Sequence, residues 1–308
     1  VLDDKTSLTR TPMQFNILQL DNRLLCGFPR LTVNCTTPTR LMVTFDEKLT
    51  DGDVDWRRLG CVNCVSYELA PGEYHLETFE PYTLKYMKLI ALDGECTISN
   101  VGVRLYENPA CENAIFDSPD EHLNRIFEAG RATFAQNALD IFMDCPSRER
   151  AGWLADSFFA ARAEMAACGK PLIEKNFIEN FMLPERFDHL PEGMLPMCYP
   201  ADHNDGVFIP NWAMWFVVQL EEYLHRSGDR QLVNDLEPRV MALYDYFKRF
   251  ENEDGLLEKL ESWIFVEWSA ANNFVQDVNY PTNMLYAAML DAMGRVYNRV
   301  DLSEKADV

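Results

Sequence analysis

Along the first stretch of the chain, up to about residue 115, apolar and polar side chains tend to alternate with a period of two. That spacing suits strands with one buried face. RLMVTF (residues 40–45) and NCVSYEL (63–69) are short apolar runs, the second followed by the turn Ala70-Pro71-Gly72. YHLETF (74–79) and TLKYMKLIAL (83–92) follow, and alternation puts Leu84, Tyr86 and Lys88 on one face and Lys85, Met87 and Leu89 on the other. TISNVGVRLYE (97–107) continues the pattern after Asp93-Gly94. Short strands broken by frequent turn signals predict a β-sandwich.

The period changes near Ser118. Ser118-Pro119-Asp120-Glu121 has the letters of a helix start, with Ser118 as N-cap, Pro119 at the first helical position and Glu121 closing a capping box. Leu123, Ile126, Phe127, Gly130, Phe134, Ala138 and Phe142 then recur at helical spacing, and Pro146 requires the helix to stop at or before Cys145. Further helices are predicted over 154–169, ending on Gly169, over 171–182, and over 209–228, ending on Gly228. Two more are predicted over 230–250, kinked or split at Pro238, and over 281–300. The fold class expected is therefore multidomain β plus α. A β-sandwich over 1–116 precedes an α/α array over 117–308. A closed barrel of twelve such helices would need roughly twice this helical length, at ~1.5 Å rise per residue.

The charge balance narrows the partners. The formal net charge is −21, which opposes nucleic acid and anionic membrane surfaces. No apolar run approaches the roughly 20 residues of a membrane span. Nine Cys are too sparse for a disulfide scaffold. Cys61 and Cys64 form a lone C-x-x-C without the two further ligands that zinc requires. Neither a metal nor a cofactor is expected. Asp202-His203-Asn204-Asp205 reads as a solvated turn, and Asn34-Cys35-Thr36 is a glycosylation sequon by pattern alone. Trp215, Phe216 and Tyr223 are expected in the core.

One stretch concentrates the chemistry: DCPSRERAGWLAD, Asp144 to Asp156. It lies between the first two predicted helices, and in a helical array such loops line a rim where binding residues collect. If 149–156 is helical, Glu149, Trp153 and Asp156 share a face at i, i+4 and i+7. Asp144 would then reach in from the loop, so that Asp144, Glu149, Trp153 and Asp156 meet in one pocket. Arg148 can fork onto a diol or a carboxylate. Carboxylates accept hydrogen bonds from vicinal hydroxyls, and an indole covers the apolar face of a sugar ring. A Glu beside an aromatic plate and a second carboxylate has the raised pKa that a general acid needs. A helix start with paired charges and a core Trp fits the same letters.

DCPSRERAGWLADS closely resembles the signature of the bacterial α-L-rhamnosidases of glycoside hydrolase family 78, often written D-C-P-x-R-(D)-E-R-x-G-W-x-x-D. The optional residue before the Glu is absent here. FEPYTLKYMKL (79–89) resembles the family's strand segment ahead of its barrel, and WIFVEWSAANNFVQDVNYPTNMLYAAML (263–290) resembles a later aromatic rim. The resemblance implies the end of a β-sandwich followed by the first half of an (α/α)6 barrel. It implies Glu149 as general acid, and Asp144, Arg148 and Asp156 as ligands of rhamnose hydroxyls. Trp153 becomes an aromatic wall, and Trp268 and Trp212 later pocket aromatics. Apart from the resemblance, Glu267 reads either as a rim acid or as a support behind a sugar-stacking Trp268. A rhamnose-containing glycoside or oligosaccharide is the implied partner, and a bacterial cytoplasm or periplasm the implied setting.

The family inverts configuration with a Glu base acting through water, and no residue of this chain matches that base. The isolated chain is accordingly expected to be nearly inactive, and the open flanks of half a barrel favour self-association, including a homo-oligomer. A carbohydrate-binding module is the alternative from another class, and it would leave Glu149 without a task. A polysaccharide lyase would want a Tyr/His pair near the acids, which the motif lacks.

Overall fold

The computed structural model describes residues 8–10, 15–201 and 205–307. Among the described residues eleven strands come first: β1 Leu8–Arg10, β2 Phe15–Gln19, β3 Leu25–Cys35, β4 Thr39–Asp46, β5 Leu49–Thr50, β6 Asp53–Val54, β7 Cys64–Leu69, β8 Gly72–Glu77, β9 Tyr82–Leu84, β10 Tyr86–Asp93 and β11 Cys96–Leu105. Eight α-helices follow: α1 Glu121–Asn137, α2 Leu154–Cys168, α3 Leu172–Asn180, α4 Pro210–Ser227, α5 Arg230–Asp235, α6 Glu237–Lys248, α7 Tyr280–Tyr297 and α8 Val300–Ala306. The chain divides into two compact units. One holds residues 1–108 with 145–150, and the other 109–144 with 151–308. No described helix is long and apolar enough to cross a membrane.

In the first unit two antiparallel sheets share one core. One sheet runs β1-β11-β3-β8 with β9 also on β3, and the other runs β2-β10-β4-β7. Strand β3 shows why: Leu31, Val33 and Cys35 are buried while Arg30 and Asn34 are exposed, the two-residue period of a strand with one wet face. The buried side chains of β4 (Leu41, Val43, Phe45) and β10 (Met87, Leu89) join those of β3 and β11 in a single cluster.

The predicted strand over 83–92 is in fact two. Tyr82–Leu84 pairs with β3 in one sheet, and from Tyr86 the chain pairs with β2 and β4 in the other. Changing sheets at Lys85 resets the alternation. Leu84, Met87 and Leu89 are all buried, so Leu84 does not share a face with Tyr86 and Lys88.

The helical unit is built around α4, whose buried residues include Ala213, Met214, Phe216, Val217, Leu220 and Tyr223. Burial on so many sides marks a central helix, and α2 and α7 pack against it. Phe216 and Tyr223 lie in the core as expected, and Trp215 is half-buried against Phe158, ring centroids 4.6 Å apart.

Helices α2 and α4 end where their glycines predict, on Gly169 (φ 74°) and Gly228 (φ 71°) in left-handed conformation. The predicted helix over 230–250 is split. Helix α5 ends at Asp235, and Pro238 sits in the first turn of α6, where its missing N–H costs nothing. Helix α1 departs from its expected start: Asp120, not Ser118, is the N-cap, its carboxylate accepting from the His122 N–H at 2.8 Å. It also stops at Asn137. Phe142 still reaches the core, but through an irregular turn bridged between Ala138 and Phe142. Leu123 and Ile126, on the predicted apolar stripe, are exposed.

Buried charge ties α2, α3 and α4 together. The Arg226 guanidinium grips the fully buried Glu174 through Nε (3.1 Å) and Nη2 (2.6 Å), and its Nη1 donates to Glu222 at 2.8 Å. Gln219 donates to Glu174 at 3.3 Å and accepts from Ser157 at 3.0 Å. Glu164, buried on α2, receives the backbone N–H groups of Ile173 (2.7 Å) and Glu174 (3.0 Å), closing the open start of α3.

Burial pushes the Glu164 carboxyl up to about 7, against those two backbone donors. The folded state therefore holds a proton that the unfolded chain releases near the ordinary Glu value. Its stabilising contribution is full below about pH 4.5 and is lost as pH rises through about 7. Relative to Glu164→Gln, the unmodified protein should lose on the order of 2–3 kcal/mol of stability between pH 4.5 and 8. Urea titrations of both proteins across that range test this, and parallel pH profiles would contradict it.

Candidate functional site

The motif from Asp144 to Asp156 is not a helix. Residues 146–149 form turns, Arg150 has a left-handed backbone (φ 52°), and α2 begins only at Leu154 with Trp153 as its N-cap. The predicted i, i+4, i+7 face is thus corrected, since only Asp156 lies on the helix. There it occupies the first turn, where the dipole favours a carboxylate.

A long-range pairing explains the change. Trp153 bridges to Cys198, Leu154 N–H donates to Met197 O at 3.0 Å, and Tyr199 N–H donates to Gly152 O at 3.1 Å. Residues 152–154 are extended because another segment takes their hydrogen bonds. Gly152 is dictated by the same contact: a Cβ there would stand 2.9 Å from Tyr199 O and 3.1 Å from Ile141 Cδ1.

Asp144 is the brace of this loop. Its N–H donates to Ala151 O at 3.2 Å and its Oδ1 accepts from Ala151 N–H at 3.1 Å, so two reciprocal bonds close the turns between them. Pro146 O accepts from Thr83 Oγ1 at 2.8 Å. Arg150 donates to Pro81 O at 2.6 Å and to Glu80 at 2.7 Å. No local pattern signals this anchoring by Arg150, because its partners lie about 70 residues away. Arg148 and Glu149 form an ion pair with each other, and the Glu149 side chain is 29% exposed.

Within the helical unit the aromatic candidates are joined. Trp153 is buried with Ala151, Met197, Cys198 and Ile209. Its ring meets Trp212 edge-on at 5.2 Å, Trp212 meets Phe265 at 5.6 Å, and Phe265 meets Trp268 at 5.0 Å. Trp268, at the end of this ladder, is 82% exposed. An indole that exposed, held by Trp263 and Phe265, presents an apolar plate to solvent. The neighbouring Glu267 is exposed and bonded to Ser269 Oγ.

Trp153, Trp212 and Trp268 therefore belong to one network. Phe265, its central member, escaped the sequence reading because nothing in its local pattern distinguishes it from core. Among the described residues no group of three or more His, Cys, Asp or Glu is placed to hold a metal ion. Cys61 and Cys64 are both free thiols. Of the acidic turn at 202–205, the first three residues lie outside the described ones, and Asp205 accepts from Val207 N–H at 3.1 Å.

Residues 112–307, more than half of the chain, match the model of the bacterial alpha-L-rhamnosidase 6 hairpin glycosidase domain. An alpha-L-rhamnosidase of Formosa agariphila is 23% identical over 216 residues, covering 64% of this chain and 22% of that protein. Two solved structures share the fold. The rhamnosidase of Bacillus sp. GL1, described as of the GH78 family, superposes with a TM-score of 0.76 at 19% identity, over 92% of this chain and 30% of that one. A Klebsiella oxytoca rhamnosidase with rhamnose bound gives 0.76 at 16% identity, over 98% of this chain and 62% of that one. The chain thus spans about a fifth of its curated relative's length.

Proposed function

We propose that this chain, which belongs to the bacterial α-L-rhamnosidase six-hairpin glycosidase domain family, is part of an enzyme that hydrolyses α-L-rhamnosides with inversion of configuration. The family match over residues 112–307 carries the proposal, with the motif Asp144–Asp156 inside it. The helices are proposed as the first half of an (α/α)6 barrel and the sheets as the sandwich ahead of it, divided near residue 116.

Glu149 is the proposed general acid, protonating the glycosidic oxygen as the bond to the anomeric carbon breaks. Asp144, Arg148 and Asp156 are the proposed partners of the rhamnose hydroxyls. The ladder from Trp153 through Trp212 to the exposed Trp268 supports an aromatic wall, since such plates cover the apolar face of a sugar, and Glu267 is the proposed support behind Trp268. Inversion needs a second carboxylate that activates water on the opposite face of the ring, ~6.5–9.5 Å from the acid. No residue here matches the family's base, so little turnover is expected from these 308 residues alone.

The test is proton NMR of the full-length protein acting on an aryl α-L-rhamnoside. β-L-Rhamnose should appear first and then mutarotate. First formation of the α anomer, or no release of rhamnose, would overturn the proposal.

A further inference from the structure

The helical unit contains a cavity of about 660 Å³ between the segment 182–194 and the start of α6, within the ~300–1,000 Å³ usual for small-molecule sites. None of the motif residues lines it. Its lining includes Arg239, whose side chain is half-buried and meets no carboxylate among the described residues. The guanidinium lies 4.9 Å over the Phe187 ring and donates through Nη2 to Pro184 O. A guanidinium has five N–H donors, and among the described residues one acceptor, Pro184 O, meets them. Burial depresses the Arg239 pKa, as it must for a cation desolvated without a compensating anion.

The walls are fixed. Gly193 is left-handed (φ 85°), and a Cβ there would stand 2.1 Å from Ala242 O, so the loop is pressed directly on α6. Phe187 is itself held at 5.3 Å from Tyr199 and 6.1 Å from Phe181. Glu185, Glu192 and Asp235 also line the cavity, and all three are exposed. Arg186, the other cation of the lining, is 87% exposed and pairs with Asp188 at 3.5 Å.

We propose that this cavity binds a hydroxyl-rich carboxylate, a sugar acid, with its carboxylate on Arg239 and its hydroxyls donating to the Glu185, Glu192 and Asp235 carboxylates. A planar fork such as Arg239 matches a carboxylate and gives charge-assisted bonds. The acidic rim repels a bare anion and rewards a ligand that brings hydroxyl donors. Inorganic phosphate is therefore the wrong occupant, and so is a neutral sugar, which leaves Arg239 without its anion. None of the residues proposed to hold the rhamnoside lines this cavity.

Isothermal titration of the full-length protein with sodium D-glucuronate tests the proposal, with L-rhamnose saturating throughout to keep the motif region out of the signal. Glucuronate should bind. Its methyl ester, the same ring without the charge, should bind about tenfold or more weakly, a loss of ~1.4 kcal/mol or more, and inorganic phosphate should give no heat. Arg239→Gln should weaken glucuronate by a similar factor, and Arg239→Lys by less, with rhamnoside hydrolysis unchanged in both. Absence of glucuronate binding overturns the proposal, as does equal affinity for acid and ester. The acid–ester comparison uses unmodified protein, so it decides the matter even if the Arg239 variants fold poorly. Binding undiminished in a folded Arg239→Gln variant would also overturn it.

Discussion

Glu149→Gln in the full-length protein is expected to lower hydrolysis of an alkyl α-L-rhamnoside by on the order of 10²–10⁴-fold, the usual worth of general acid catalysis. An alkoxide leaves poorly without a proton, and Gln cannot supply one. A dinitrophenolate leaves without help, so a dinitrophenyl rhamnoside should lose far less rate. The divergence between the two substrates identifies an acid, because a residue that merely shapes the pocket would slow both alike. The pair between Glu149 and Arg148 is partly exposed, and such pairs are worth ~0–1 kcal/mol. Equal rate losses on both substrates would remove Glu149 from the acid role.

The second large effect is on stability. Arg226→Met should destabilise the protein by about 3–5 kcal/mol, the cost of stranding one member of a buried ion pair. Glu174 is fully buried on α3 and keeps only the weaker donor Gln219 once the guanidinium is gone. Such a loss is a large part of the ~5–15 kcal/mol that keeps a domain folded. The double variant Arg226→Met, Glu174→Gln should recover much of it, since the stranded charge is then removed. The denaturant midpoints of the three proteins give the answer, and a single variant within about 1 kcal/mol of the parent would show that water reaches Glu174.

What the sequence disclosed depended on how local the cause was. Gly169 and Gly228 mark helix ends because a left-handed residue suits Gly wherever it occurs. Pro238 divides a helix for a reason contained in its own ring. The sheet change at Lys85 was invisible, because an alternating stretch looks the same whether it serves one sheet or two. The motif misled in the same way. Its charges and Trp fit a helical face, yet Met197, Cys198 and Tyr199, more than 40 residues on, draw residues 152–154 into extended pairing. The identity of the candidate residues was legible through the motif. The supporting parts, Arg150 on Glu80 and Pro81 and Phe265 between Trp212 and Trp268, were not.

Between Asn108 and Ala151 the chain passes from one compact unit to the other three times. The six residues Cys145–Arg150, Glu149 among them, are encoded within the helical stretch but fastened by Glu80, Pro81 and Thr83. Exchange of genetic modules at residue 109 would therefore transmit the letters of the motif and discard its moorings. A lineage could replace its sandwich by recombination only if the incoming one offered the same three anchor points.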